Sequence, residues 1–392
     1  MKNTTSLLLL AFVLVIFSCS NGNDSVATDL YPNATAKFAG KLDLNNPSNY
    51  ANQGKPAYIT KDNTAGNPIT DKGATLGRVL FYDTNLSSNN TISCFSCHIQ
   101  ANAFGDVALA SDGVNGTTTR HSMRLVNSRF SVENKFFWDE RAATLEFQTT
   151  QPIQNHIEMG FSGTNGDGNI TTLITKLQNI SYYKELFKYA FGSEEITENK
   201  IQLALAQFIR SIQSFDSKYD TGRALVANDN QPFTNFTAQE NQGKNLFITP
   251  PVFNASGSRT AGGVGCAACH AAPEFDIDPN TKNNGIIGVL NGTGIDITNT
   301  RAPSLRNLVK TDGTTNGPMM HTGNLTTLQN VIGHYGKINL APENTNLDPR
   351  LAPNGFGQQL NLTAHEVDAL VAFLKTLSGT NVYVDAKWSS PF

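Results

Sequence analysis

Two stretches of the chain set apolar residues at helical spacing with polar residues between them. In "ITENKIQLALAQFIRSIQS" the stripe is Ile201, Leu205, Phe208 and Ile212; in "LTAHEVDALVAFLKTL" it is Val367, Leu370, Val371, Leu374 and Leu377. Thr363 and Glu366 have the Ser/Thr-x-x-Glu spacing of a capping box, which predicts where the second helix starts. Each helix closes one half of the chain, and each half opens on a similar hexamer, "LGRVLF" at 76–81 and "QGKNLF" at 242–247. Strand-like alternation is weak throughout. The pattern predicts a mainly α protein with long loops, in two domains spanning 61–228 and 229–392, with the join in the polar stretch 223–237.

Composition changes this little. The 392 residues are 39% apolar and 16% charged, with a formal net charge of −3 and no long basic run, which argues against nucleic acid as a partner. The amino-terminal end is different. One lysine precedes an apolar run from Leu7 to Phe17, short for a membrane span but suited to the core of an export signal. Ser18 before Cys19 resembles a bacterial lipobox, so residues 1–19 read as a lipoprotein signal peptide with Cys19 as the lipid-bearing residue. Ordinary cleavage nearby is the alternative. Polar residues 20–60 read as a flexible tether. The expected location is the periplasm, on a lipid anchor in a membrane.

The other four cysteines, Cys94, Cys97, Cys266 and Cys269, all lie in "CFSCH" (94–98) and "CAACH" (266–270). Cys-x-x-Cys-His attaches c-type haem: the thiols bond to the vinyl groups and the histidine lies under the iron. A lone Cys-x-x-Cys would also suit a redox dithiol or half of a zinc site. Two copies, each with its histidine, in an exported chain point instead to two covalently bound haems c, with His98 and His270 as proximal ligands. A haem-binding loop between an opening and a closing helix is the plan of a cytochrome c-like domain.

One segment exceeds what an electron-carrier domain needs. Between the first haem motif and the first closing helix, "FFWDERA" is followed by Gln148, Pro152 and Glu158 among aromatic residues. In order, "LGRVLFYDTNLS", "SCFSCH", "FFWDERAATLEFQ", "PIQNHIEMG", "RAPSLRN", a His-x-Gly turn at His321 and "AHEVDALVAFLKTL" resemble the bacterial di-haem cytochrome c peroxidase family, which includes the MauG type. The match runs from about Thr70 to Leu377. The resemblance implies reduction of hydrogen peroxide at the first haem with electrons received through the second. It implies Glu158 as the acid–base residue, Gln148 and Pro152 in the same distal pocket, and Trp138 as an electron relay between the haems. Taken alone, Glu158 is as readily a cap or surface residue, and Trp138 a core residue.

Two positions depart from the family pattern. Many members carry, in the loop after the first motif, a histidine that caps the first iron until the second haem is reduced. Val114 stands there, so the first iron is expected to be open, with His121 the nearest substitute. The family's calcium site uses an asparagine after the loop arginine, but Arg120 is followed by His121, a poor ligand for a hard cation. The corresponding backbone carbonyls, of Asn316 and Pro318, survive any side-chain change and keep one calcium ion as an open expectation.

The sixth ligand of the second iron has to come from "GPMMHTGNLTTLQNVIGHYG" (317–336) or be absent. Family members with a high-potential haem place a methionine fourteen residues after the His-x-Gly histidine. Counted from His321, that position is Tyr335, the arrangement of the MauG type. Met319, Met320 and His334 are the alternatives; His321 is read as serving the turn, and His156 and His365 as structural or solvated. An axial methionine favours ferrous iron, a phenolate ferric or higher states. The resulting expectation is a di-haem peroxidase supplied by a small cytochrome c or cupredoxin, with homodimerisation left open. Its rivals are a MauG-like oxidase of a partner protein and a tethered electron carrier with no chemistry of its own.

Overall fold

Each predicted closing helix forms and packs across the opening helix of its own half. The computed structural model describes residues 29–131, 135–277 and 279–392; the expected signal peptide and Cys19 lie outside them. Along the chain come α1 (Pro32–Lys37), α2 (Asp71–Tyr82), α3 (Cys94–Cys97), α4 (Leu145–Thr149), α5 (Ile170–Gln178) and α6 (Ser181–Phe191). Then follow α7 (Glu198–Ser211), α8 (Lys218–Arg223), α9 (Ala238–Ile248), α10 (Leu328–Gly336), α11 (Ala364–Lys375) and α12 (Asn381–Val384). Among the described residues the strands form three short antiparallel pairs. These are β1 (Asp112–Gly113) with β2 (Gly116–Thr117), β3 (Pro251–Phe253) with β4 (Arg259–Gly262), and β5 (His270–Ala271) with β6 (Asp276–Ile277). The fold is mainly helical with long loops, as the hydrophobic pattern predicts.

α7 buries Ile201, Leu205 and Phe208 and packs on α2; α11 buries Leu370, Val371 and Leu374 and packs on α9. The predicted capping box closes: the Thr363 amide donates to the Glu366 carboxylate at 2.9 Å and the Glu366 amide to the Thr363 hydroxyl at 3.2 Å. Such a cap stabilises the helix by about 1 kcal/mol. A glycine sets the crossing in each pair. A Cβ on Gly77 would overlap the Ala204 carbonyl oxygen, and one on Gly243 the Ala369 carbonyl oxygen.

Two hydrophobic cores result, one gathering α1, α2, α6 and α7, the other α8, α9, α10 and α11. Their membership departs from the expected division at both ends of the chain. Residues 31–60 are not a free tether: Ala34, Phe38, Tyr50 and Ile59 are buried, and the Tyr50 hydroxyl donates to the Lys387 carbonyl at 2.6 Å. A few large apolar side chains spread through a polar stretch are enough to pin it, which average composition conceals. The C-terminal end, expected with the second half, returns to the first core. Val382 and Trp388 belong to that core, and the Tyr82 hydroxyl donates to the Trp388 carbonyl at 2.6 Å. Tyr31–Phe392 accordingly forms one compact unit.

Gly77→Ala and Gly243→Ala are each expected to lower stability by roughly 1–3 kcal/mol through overpacking. Gly333→Ala in α10 meets nothing within 4 Å and is expected to add up to about 1 kcal/mol from helix propensity. Urea-denaturation midpoints of the three variants check this ordering.

Candidate functional site

The first attachment motif occupies a single helical turn. α3 begins at Cys94 and ends at Cys97, Ser93 and Ser96 close its start as a capping box, and His98 follows. The chain then doubles back through Ala103 and Phe104, which take left-handed φ values of 54° and 58°. This turn brings the Phe104 carbonyl to 3.1 Å from His98 Nδ1. With Nδ1–H donated there, Nε2 of the neutral ring is free to act as a ligand. Burial lowers the basicity of the ring, while the Phe104 carbonyl opposes the shift. Burial also pushes the Cys94 thiol up to about 12 and Cys97 up to about 11.

A narrow cavity of about 80 Å³ adjoins the motif, and Cys94, Cys97, His98, Gln148, Pro152 and Glu158 line it. The last three come from the segment that the sequence singles out. Thr144 caps α4, which carries Gln148. Asn155 Oδ1 accepts the amides of Ile157 and Glu158 at 2.9 and 3.1 Å and so turns the chain beyond it. Burial raises the Glu158 carboxyl above its ordinary value, with Arg141 acting the other way. The turn between β1 and β2 lies against this bend. The amides of Val114 and Asn115 donate to the carbonyls of Glu158 and Ile157 at 3.0 and 3.1 Å. Among the described residues lining this cavity, His98 is the one histidine. The cavity is narrow for a macrocycle, so here the donor set carries the fit to haem.

The second motif is a tight turn, Cys266–Ala268, entered through left-handed Gly265 and followed by His270 on β5. Its cavity is about 620 Å³, with Cys266, Cys269, His270, Met319, Met320 and Tyr335 in the wall. Burial lowers the His270 imidazole to about 4, the Pro303 carbonyl opposing, and pushes Cys266 up to about 12. Arg124 shares the wall; its Nε is buried without a hydrogen bond, and burial lowers its guanidinium to about 10. Lys282 and Arg301 add positive charge to the lining. Volume, a neutral imidazole, an un-ionised Cys266 thiol and a buried guanidinium whose Nε has no partner fit a macrocycle that carries carboxylates.

Tyr335, on α10, is in this wall. Burial pushes its phenol up, with the Asn284 side chain opposing. Met320 is there as well, and its sulfur accepts from Asn284 Nδ2 at 3.2 Å. His334 is not; its Nε2 meets the Asn284 carbonyl at 2.9 Å. His321 Nε2 meets the Gly288 carbonyl at 2.8 Å, which agrees with a role in the turn. Trp138 is buried in the second wall, not in the first. Its Nε1 donates to the His121 carbonyl at 2.7 Å, and its ring meets His321 edge-on at 6.2 Å. His121, the candidate substitute cap of the first iron, also lies in the second wall, its Nδ1 held 3.0 Å from the Ala108 carbonyl.

Glu158, Gln148 and Pro152 thus gather at the first motif, and Trp138 and Tyr335 at the second. Asn316 is buried, its amide donating to the Asn307 carbonyl at 2.7 Å, and Pro318 lines the second cavity. Among the described residues no group of three or more His, Cys, Asp or Glu could hold a metal ion. His156 pairs with Asp167 at 2.9 Å, and His365 is exposed.

Asn284 and one repeated turn escape sequence reasoning. "MRLVN" (123–127) and "PSLRN" (303–307) share Leu-x-Asn, and both asparagines are left-handed, with φ of 60° and 53°. The carbonyls of Met123 and Pro303 act on His98 and His270 respectively. The repeated Leu-x-Asn was the available signal. Nothing near Asn284 marks it, since its partners come from α10 and the turn before it.

A sequence profile described as di-haem cytochrome c peroxidase matches residues 71–228. The chain is 30% identical over 331 residues to the methylamine utilization protein MauG of Methylophilus methylotrophus, covering 82% of this chain and 86% of that protein. It is 28% identical over 324 residues to cytochrome c551 peroxidase of Nitrosomonas europaea, covering 78% and 80%. Its fold is similar to the crystal structure of a MauG-like protein associated with microbial copper homeostasis. The TM-score is 0.66 at 29% identity, over 87% of this chain and 99% of that one.

Replacing Cys94 and Cys97 together by serine is expected to halve the covalently bound haem per chain, and so is replacing Cys266 and Cys269. Intact mass and pyridine haemochrome absorbance measure it. Full haem content in either double variant would remove that motif from the assignment.

Proposed function

Since the chain belongs to the di-haem cytochrome c peroxidase family, we propose that it reduces hydrogen peroxide to water at the first motif, with electrons passed through the second from a small cytochrome c or cupredoxin. The observation that carries this reading is Glu158 and Gln148 beside His98 and both thiols in one cavity. When bound, a haem at Cys94 and Cys97 supplies the redox-active iron for O–O cleavage. Glu158 moves the proton: its carboxylate accepts it from one peroxide oxygen and returns it to the other, which leaves as water. Burial serves this exchange, because a carboxyl raised from its ordinary value gives up its proton nearer neutral pH. The Gln148 amide donates a hydrogen bond that orients the peroxide. Val114, pinned through its amide to the Glu158 carbonyl, brings no ligand to this wall, so the fully oxidised protein accepts peroxide without prior reduction. The export signal read in residues 1–19 puts this activity in the periplasm on a lipid anchor. Among the described residues no helix is long and apolar enough to cross a membrane.

The test is kcat/KM for peroxide with a reduced small cytochrome as donor. Glu158→Gln is expected to lower it by about 10²–10⁴-fold, the usual contribution of a positioned acid–base group. The base form of a raised carboxyl is lost as pH falls through its elevated value. The wild-type acid limb should therefore lie on the neutral side of an ordinary glutamate titration and vanish in the variant. Undiminished turnover in Glu158→Gln would refute the assignment.

Tyr335 in the wall of the second cavity favours a second reading, a MauG-like oxidase of a partner protein. A phenolate donor suits ferric and higher states, and hence a site that shares oxidising equivalents. Tyr335→Phe is expected to change the absorption and EPR spectra of one haem and leave the other unaltered. Unchanged spectra would return the ligand to Met319 or Met320.

A further inference from the structure

The first core holds oxidisable side chains that this peroxide chemistry does not use. Asp83, at the C-terminal end of α2, is 3% exposed. Its Oδ2 accepts the hydroxyls of both Tyr182 and Tyr183 at 2.7 Å, while Oδ1 accepts the Asn85 amide at 2.8 Å. The two tyrosines are consecutive in the first turn of α6, with ring centroids 4.8 Å apart. Tyr183 is the inner one: it is fully buried, in the same core against which Cys94 of the first motif packs. Tyr182 is the outer one, 9% exposed, with Lys37 Nζ 5.9 Å from its ring.

Two buried hydroxyls need only neutral acceptors, and a buried carboxylate is a costly way to satisfy them. What a carboxylate adds is basicity. A phenol gives up an electron readily only when its proton can leave at the same time, because an oxidised phenol that keeps its proton is a very strong acid. A shared base in hydrogen-bond contact with both rings removes that obstacle twice over.

We propose that Tyr183 and Tyr182, with Asp83 as their common base, form a hole-transfer site that carries oxidising equivalents from the first motif towards the surface, where small one-electron donors such as phenols discharge them. The proposal rests on the peroxidase reading above. Hydrogen peroxide takes up two electrons and two protons to become two waters. When the second motif does not deliver an electron, Tyr183 gives one to the oxidised first site and its phenolic proton to Asp83 Oδ2. Tyr182 then gives an electron to the Tyr183 radical; Asp83 returns the first proton to Tyr183 and takes the proton of Tyr182. An external phenol restores Tyr182 with one electron and releases its own proton to solvent, leaving as a phenoxyl radical, while Asp83 returns the proton it holds to Tyr182. A second such turn supplies the second electron, and solvent supplies the two protons that peroxide takes up.

The test uses the holoprotein with one equivalent of hydrogen peroxide and no donor, rapidly frozen for EPR while peroxide loss is assayed in parallel. The expected result is a tyrosyl radical whose hyperfine structure collapses with ring-deuterated tyrosine. Its high-field spectrum should be that of a hydrogen-bonded phenoxyl. The signal should fall to background in Tyr183→Phe and diminish in Asp83→Asn. In Tyr182→Phe it should persist but resist quenching by added phenol. Peroxide loss without a tyrosyl signal overturns the proposal and leaves the peroxidase reading standing. So does a signal undiminished in Tyr183→Phe, or one lacking the hydrogen-bonded signature, which needs no substitution to read. Absence of peroxide loss overturns both.

Discussion

The first site depends on one hydrogen bond, from His98 Nδ1 to the Phe104 carbonyl. It settles the tautomer and aims the other ring nitrogen into the cavity. To place that carbonyl the chain holds Phe104 in the left-handed region, which costs a residue with a side chain about 1–2 kcal/mol. Packing meets the cost. The Phe104 ring is fully buried and meets Phe81 of α2 edge-on at 6.0 Å, and burying such a side chain contributes about 1.5–3 kcal/mol. Phe81 stands there because α2 can approach α7 closely at Gly77. A glycine without chemistry of its own therefore supports the position of the ligand.

The turn and the helix crossing recur in the second half, but the hydrogen bond does not: His270 Nδ1 is buried without a partner. Phe275 is left-handed after His270 as Phe104 is after His98, and Gly243 against Ala369 repeats Gly77 against Ala204. What separates the two sites lies outside the repeated helices. The segment from Phe136 to Gly160 brings Gln148, Pro152 and Glu158 to the first motif; the segment from Gly317 to Gly336 brings two methionines and a tyrosine to the second. One scaffold thus carries a carboxyl and an amide side chain in the wall of one site and thioethers and a phenol in the wall of the other.

The attachment motifs, the closing helices and the capping box were legible because each depends on residues close in sequence. Glu158 and Gln148 were legible only through family resemblance, since a carboxylate next to Asn155 has no local signature of a cavity. The tether reading failed over 31–60 because Phe38 and Tyr50 are anchored by partners far along the chain, Phe392 and Lys387. Asn284 was invisible for the same reason: it donates to the Met320 sulfur and accepts from His334, both remote in sequence. The resemblance places Trp138 between the two haems; in the structure it lies in the wall of the second cavity. Its carbonyl accepts the amides of Thr300 and Arg301 at 2.9 and 3.1 Å, contacts that fasten it to the second half.

That placement makes Trp138 and the tyrosine pair chemically unlike. The Trp138 indole N–H donates to the His121 carbonyl. A main-chain carbonyl accepts a hydrogen bond but is too weak a base to keep the proton, so an indole that loses an electron there retains its N–H. Regaining the electron then requires no proton to return, which suits a relay that works in either direction. Tyr183 donates to a carboxylate, which can take the proton as the electron leaves and return it when an electron comes back. Both side chains are buried aromatics beside a haem motif, and burial does not distinguish them. The basicity of the one atom that each donates to does: in the roles proposed above, it suits the indole to passing an electron with its N–H in place and the tyrosine to passing a hole on only together with its proton.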